Sequence, residues 1–350
     1  MKRMKGFKFR QNTLIPWIIT LGMGVYVYGL SYHAKTRPTI DPVYDFYDTA
    51  VVKVNIRYSE ELHDVYGMYN NIIEGQKQIV KAFAHLGGKY RIVFRVNSPR
   101  PATIFVDDQA IEVFLVPGDT TLDISMLVDP ATFLADSLKF NGKTSSICRY
   151  YLEKREYFGD SHIRAKRNAL NSEDFETFCA NLDSTATAEL AYLHERDEEV
   201  ALPEWFVDFE ESEIRYQKAY LKLSNAYNRD VPGHLMDQIP TNSEAAVFSY
   251  YYYLYLKTYL TGQDSLPGVV DLLRPEARYE IMTERHLAAA DSLLLGEMHD
   301  VYITRVIFAN LKRQNEAFAT RLVNTYSSRF NKKKYERFLK YQLRRTQLPT

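Results

Sequence analysis

Cysteine is nearly missing from this sequence: 350 residues hold two, Cys148 and Cys179. Two thiols cannot build a disulfide scaffold, a four-ligand zinc site or an iron–sulfur cluster. Excess charge is missing too, with 44 basic and 44 acidic side chains. That removes the global basic surplus expected of a nucleic-acid binder. Fifteen glycines and 13 prolines are too few for a collagen-like or low-complexity chain. The sequence contains no glycine-rich phosphate loop, no His-Glu-x-x-His, no Gly-x-Ser-x-Gly and no Cys-x-x-Cys. With 46% hydrophobic residues the chain supports one large domain or two ordinary ones. Its abundant residue is tyrosine, present 27 times.

Lys2, Arg3, Lys5, Lys8 and Arg10 carry the only charges before an uncharged stretch from Thr13 to Tyr32. Basic residues followed by an apolar run predict an export or anchor signal, with the N-terminus kept cytoplasmic and the bulk of the chain periplasmic. Leu14–Leu30 would span about 25 Å as a helix, just short of a ~30 Å hydrocarbon core. Pro16 and three glycines weaken that helix, and Gly29-Leu30-Ser31 offers a cleavage site, so a single-pass inner-membrane anchor and a cleaved signal peptide both remain open. The expected organisation is a cytoplasmic segment at 1–12, the signal at 13–32, a tether at 33–48, a β domain at 49–140 and a helical domain at 141–350.

From Thr49 to Met126 the pattern has period two and is rich in β-branched residues. It predicts seven strands (Ala50–Arg57, Asp64–Tyr69, Gln76–Ala84, Lys89–Val96, Ala102–Val106, Ala110–Val116 and Thr121–Met126) in a small antiparallel β-sandwich. In Tyr90–Val96 one face carries Tyr90, Ile92, Phe94 and Val96 and the other Arg91, Val93 and Arg95, which suits a sheet packed on one side. After Asn141-Gly142 the period becomes 3.6. Helices are expected at Ser145–Phe158, Glu173–Glu195, Glu204–Asn228, Ser243–Leu260, Glu276–Leu295, Asp300–Arg313, Asn315–Arg329 and Lys332–Arg345. Asn171-Ser172 precedes the second, Pro203 opens the third, and Thr241-x-x-Glu244 reads as a capping box for the fourth. The fold class is therefore α+β, an N-terminal anchor followed by a sandwich and an all-helical domain.

Candidate chemistry is sparse. Cys148 and Cys179 fall on two adjacent predicted helices, where a single disulfide and two buried structural thiols are both compatible with the spacing, and no cationic helix start marks either as reactive. Glu297, His299 and Asp300 form the one tight group of potential metal ligands, but near-consecutive helical residues do not converge, so solvated turn residues are the expected reading and no metal is assigned. His194, beside Glu195 and Asp197, reads as part of a charged helix end. Tyr250–Tyr253 with Tyr255 and Tyr259 point around a whole helical cylinder. A centrally packed helix accounts for them, and a ligand or partner groove on Tyr251 and Tyr255 is the alternative. Glu173–Glu213 holds 14 acids against Arg196 alone, and Arg329–Arg345 holds eight bases against Glu336 alone. Such blocks are solvated helix faces or docking surfaces.

Three further segments fall in a recognisable order: Gly88-Lys89-Tyr90 opening a strand, Phe114–Ile124 with Pro117-Gly118-Asp119 at its centre, and Leu138–Gly142 running into Ile147–Leu152. With Ile214-Arg215-Tyr216 further on, this order resembles the N-terminal half of exported Gram-negative thioredoxin-family proteins. The resemblance implies a small β-sandwich, a Pro-Gly-Asp strand turn and a helical insert ahead of a thioredoxin-like domain. That family's Trp-Cys-x-x-Cys site has no counterpart here, and Leu348-Pro349-Thr350 stands about where the linker into that domain would begin. No catalytic residue and no cofactor are carried over. The expectation is a non-catalytic, membrane-anchored periplasmic accessory or binding protein with a protein partner and no nucleic acid. One half of a split thiol–disulfide system, its thioredoxin domain on a separate chain, is the first alternative. A hydrolase or transferase with an unrecognised acidic site is the second.

Overall fold

The computed structural model describes residues 48–346 apart from 58–62, 72, 74–76, 129–134, 160–173, 227–232, 234–235, 238, 263–274 and 313–315. All of them belong to one unit, Thr39–Thr350. The expected anchor, signal and most of the tether lie outside the described residues. Among those described, no helix is long and apolar enough to cross a membrane.

Nine strands come first: β1 (Thr49–Arg57), β2 (Val65–Asn70), β3 (Lys77–Lys81), β4 (Phe83–His85), β5 (Lys89–Arg95), β6 (Arg100–Val106), β7 (Gln109–Leu115), β8 (Leu122–Val128) and β9 (Ala135–Asn141). They form a five-stranded sheet in the order β4-β5-β1-β8-β9 and a four-stranded sheet in the order β3-β2-β6-β7. The inward faces meet in one core, with Val52, Val54, Ile92 and Phe94 from the first sheet and Ile104, Val106, Ile111 and Val113 from the second. Phe94 lies over Gly67, where a Cβ would come within 2.1 Å of the ring; only glycine lets the two sheets approach that closely.

Three details differ from the sequence-based expectation. The predicted strand Gln76–Ala84 is two strands, because at Ala82 the chain leaves the second sheet and joins the first. β9 closes the edge beyond β8 at the end of the expected β domain, where no strand was expected. The sandwich is also not purely antiparallel, since β1 and β8 run parallel from Val52↔Leu122 to Arg57↔Leu127. The Pro-Gly-Asp turn makes that pairing possible. Gly118 adopts φ +80 and donates to the Thr49 carbonyl, while Val51 donates to the Asp119 carbonyl, so the turn is pinned to the start of β1. The buried Asp119 carboxylate then accepts from Thr121 N at 2.8 Å and Thr144 Oγ1 at 3.1 Å. One side chain thus ties the turn to the threshold of the first helix.

Eight α-helices follow among the described residues: α1 (Ser145–Phe158), α2 (Phe175–Val200), α3 (Glu204–Ala226), α4 (Tyr250–Gly262), α5 (Pro275–Leu293), α6 (Gly296–Lys312), α7 (Glu316–Tyr326) and α8 (Lys333–Thr346). Pro203 opens α3 as expected, its carbonyl accepting from Phe206 and Val207. Asp174 caps α2 by accepting from Thr177 N at 2.9 Å. The capping box expected at Thr241 does not start α4. Ser249 Oγ accepts from Tyr252 N at 2.9 Å and Glu213 of α3 accepts from Tyr250 N at 3.0 Å. The helix therefore begins seven residues later than the pattern suggested, at the point where a tertiary carboxylate meets its free N–H groups.

The boundary between sandwich and helices is not a boundary of packing. Ile147, Cys148, Tyr150 and Tyr151 of α1, Leu193 of α2, and Phe206 and Phe209 of α3 belong to the same core as the strands. Phe114 of β7 is its hub, stacked on Tyr151 at 6.0 Å and edge-on to Phe206 at 5.4 Å. A second core joins α3 to α4–α8, and a third, smaller one lies between α2 and α3. Helix α3 contributes Phe206, Tyr216 and Ile214 to the three in turn. It is the spine of the molecule.

Candidate functional site

A cavity of about 470 Å³ opens between the outer face of the four-stranded sheet and helices α1–α3. Thr103, Phe105 and Glu112 line it from the strands, and Tyr151, Lys154, Glu189, Glu210 and Glu213 from the helices. The helical wall exists because polar residues occupy positions on apolar stripes. On α3, Glu210, Glu213 and Gln217 continue the i, i+3, i+7 line that includes Phe206 and Ile214, and all three are buried. On α2, Glu189 stands between Ala186 and Leu193 of the same stripe and is 1% exposed.

Lys154 joins these carboxylates. Its ammonium lies 2.7 Å from Glu189 Oε2 and 2.8 Å from Glu210 Oε1. Tyr151 donates to Glu210 at 2.6 Å, and Tyr150 donates to the same carboxylate at 3.4 Å. Burial pulls the Lys154 pKa down, but Glu210 and Glu189 outweigh it and hold the ammonium above its ordinary value. Burial and the negative charge of Glu210 push Tyr150 well above the ordinary phenol range. Lys154 is therefore a fixed cation and Tyr150 a fixed hydrogen-bond donor. Glu210 is occupied by three donors, which suits holding a shape rather than cycling protons. Glu213 ties the wall to α4 through the Tyr250 amide, where the helix dipole favours its charge.

At the sheet side Glu112 is half-buried and makes no ion pair among the described residues. It and Thr103 also line a smaller hollow of about 160 Å³ that extends towards Met68 and Lys77. Glu112, Glu189, Glu210 and Glu213 face Lys154 and Arg155 around the main cavity, an acidic excess of two carboxylates. Aromatic and aliphatic surface from Phe105, Tyr151 and Ile214 completes it.

The residues singled out from the sequence lie elsewhere. Cys148 and Cys179 are both free and buried. Cys148 belongs to the first core and Cys179 to the third. Cys148 accepts from the Phe114 amide at 3.4 Å, and burial pushes its thiol up to about 12. Cys179 is raised as well, first by burial.

Tyr255 is 5% exposed, packed 5.6 Å from Tyr216 in the second core. Tyr252 is fully buried between Tyr216 and the Thr241 carbonyl, to which it donates. Tyr253 receives the Arg305 guanidinium on its ring at 3.2 Å. Tyr251 is half-buried beside Tyr220 at 6.3 Å, so Tyr251 and Tyr255 face different neighbours and neither lines the acidic cavity. The tyrosine cluster is the inside of a helical bundle.

The group Glu297, His299, Asp300 departs from the solvated-turn reading. His299 and Asp300 are 4% and 0% exposed. His299 sits between Asp300, 3.0 Å from Nδ1, and Asp291 of α5, 3.0 Å from Nε2. Asp300 in turn accepts from Asn331 N at 3.0 Å and Lys332 N at 2.7 Å, which caps α8 from α6. Glu297 turns away to Lys332, Lys334 and Tyr335. Among the described residues no group of His, Cys, Asp and Glu is arranged to hold a metal ion. His194 reaches Glu211 at 3.3 Å on an exposed helix surface, as expected.

Sequence reasoning treated Glu173–Glu213 as one acidic block and so missed the cavity. The legible signal was the phase: Glu189, Glu210 and Glu213 fall on the buried stripe, whereas Glu195, Glu198 and Glu204 do not. No protein-family model matches the chain, and no curated protein shows significant similarity to it.

Proposed function

We propose that the chain is a non-catalytic binding protein whose cavity between sandwich and helices receives a cationic side chain of a partner protein. It acts in the setting expected from its N-terminus, tethered to the inner membrane with its bulk in the periplasm. The carrying observation is the charge balance of the cavity: four carboxylates face Lys154 and Arg155, Lys154 is already committed to Glu189 and Glu210, and Glu112 at the strand side makes no ion pair among the described residues. A guanidinium or ammonium entering there meets unneutralised carboxylate beside Phe105 and Tyr151. The size falls within the range of cavities that enclose a small group, roughly 300–1,000 Å³. The shared lining of Thr103 and Glu112 with the neighbouring hollow supports an extended segment along the sheet face.

The thiols support the non-catalytic half of the reading. An exchanging cysteine needs access and a lowered pKa; Cys148 and Cys179 are buried and both are raised. Two measurements test the proposal. The peptide Gly-Arg-Gly is expected to bind and its uncharged citrulline counterpart to bind at least tenfold more weakly; equal affinity refutes the cation site. Purified chain is expected to show no insulin reduction, and any turnover would refute the non-catalytic assignment.

A further inference from the structure

The outer face of the five-stranded sheet carries a second, opposite field. Strand alternation places Lys53 and Arg57 of β1, Lys89, Arg91 and Arg95 of β5, and Lys139 of β9 on that face, and all six are exposed. The register brings them close: Lys53 stands directly opposite Arg91, and Lys89 opposite Asn55, which is itself opposite Ser125 and then Lys139. Strands lie ~4.8 Å apart and alternate residues on a strand ~6.7 Å apart, so neighbours in the array, such as Lys53 and Arg91 or Lys89 and Arg91, sit within one Debye length of each other. Like charges directly opposite destabilise a sheet. Yet among the described residues none of the six makes an ion pair; Asp123, which stands opposite Lys53 on its other side, is engaged instead by Asn55 Nδ2 at 2.6 Å. A sheet face that repels itself this way is suited to an external anion.

The rim of the face identifies the kind of anion. β4 pairs with β5 at the sheet edge, Phe83 opposite Arg91. Phe83 is 63% exposed, and Leu86, in the turn between β4 and β5, is 96% exposed, the highest of the large apolar side chains. An array of cations bordered by a projecting apolar turn fits a lipid surface: the cations meet headgroups while the apolar side chains enter the interface. A soluble polyanion such as nucleic acid would use the cations and leave Phe83 and Leu86 in water.

We infer that this face is a peripheral binding surface for an anionic phospholipid bilayer, Lys53, Arg91 and Arg95 supplying headgroup contacts and Phe83 and Leu86 the insertion. It is separate from the acidic cavity, which lies on the other sheet, and it does not depend on an N-terminal anchor. The three cores all lie within Thr39–Thr350, so that segment serves as the probe. It should sediment with phosphatidylcholine vesicles containing phosphatidylglycerol and not with phosphatidylcholine alone, and high salt should release it. At about fivefold per cation near an anionic surface, Lys53→Gln with Arg91→Gln and Arg95→Gln should weaken binding about a hundredfold at unchanged melting temperature. Phe83→Ser with Leu86→Ser should weaken vesicle binding while leaving heparin binding as it was. Equal sedimentation with both vesicle types, or none with either, overturns the proposal. Binding to heparin without binding to anionic vesicles overturns it too, in favour of a soluble polyanion.

Discussion

Two buried ionic clusters use the same chemistry for different ends. Lys154 with Glu189 and Glu210 lines a cavity. His299 with Asp291 and Asp300 is enclosed by helices, and Asp300 spends its carboxylate on the backbone of α8. The second cluster is explained by what it holds together: it fixes α5, α6 and α8 and satisfies the Asn331 and Lys332 amides at the start of α8. The first faces open volume, and with Glu112 and Glu213 the wall around it carries an acidic surplus. Burying charge is costly unless it is fully paired, so a cluster with surplus charge beside a cavity points to a ligand, and one that closes on a helix end points to architecture.

The largest expected effect breaks the first cluster. Lys154→Met leaves Glu189 and Glu210 buried without their cation, and should cost about 3–5 kcal/mol in denaturant unfolding; a loss under about 1 kcal/mol would mean that water already reaches the carboxylates. In the second cluster Asp300→Asn keeps the shape and removes the charge from both His299 and the α8 cap. The expected loss is about 2 kcal/mol by the same measurement.

The histidine sharpens the contrast through pH. Burial pulls the His299 pKa down, but Asp300 and Asp291 outweigh it and hold it above the ordinary 6.5. Its stabilisation is therefore complete below about 6.5 and is lost as pH rises through the elevated folded value. Melting temperature should fall across that interval, and His299→Gln should flatten the fall. The smallest stability effect belongs to Glu112→Lys, which touches no ion pair among the described residues. It should change unfolding by no more than about 0.5 kcal/mol and still abolish arginine-peptide binding, which separates the site from the scaffold.

The fold was legible wherever local pattern and tertiary environment agree. Tyr90, Ile92, Phe94 and Val96 are buried and Arg91 and Arg95 exposed, as alternation required, and Ser145–Phe158 is a helix at its expected bounds. Pattern failed where a distant group decided. β9 has few β-branched residues and is held by pairing with β8. The start of α4 is set by Glu213, 37 positions earlier. The parallel pairing of β1 and β8 depends on a turn that bonds back across about 70 residues. The cavity was hidden for a related reason. A glutamate on a helix reads as solvent-facing until its stripe is traced, and no spacing rule joins Lys154 to Glu210.

Hydrogen exchange with saturating Gly-Arg-Gly tests most directly whether the acidic cavity is the binding site. Amides of β7, the last turn of α1 and the Glu210–Gln217 segment of α3 should exchange more slowly, while α5–α8 stay unchanged, and Glu112→Lys should erase the difference. Protection confined to α5–α8, or protection that survives Glu112→Lys, would contradict the assignment.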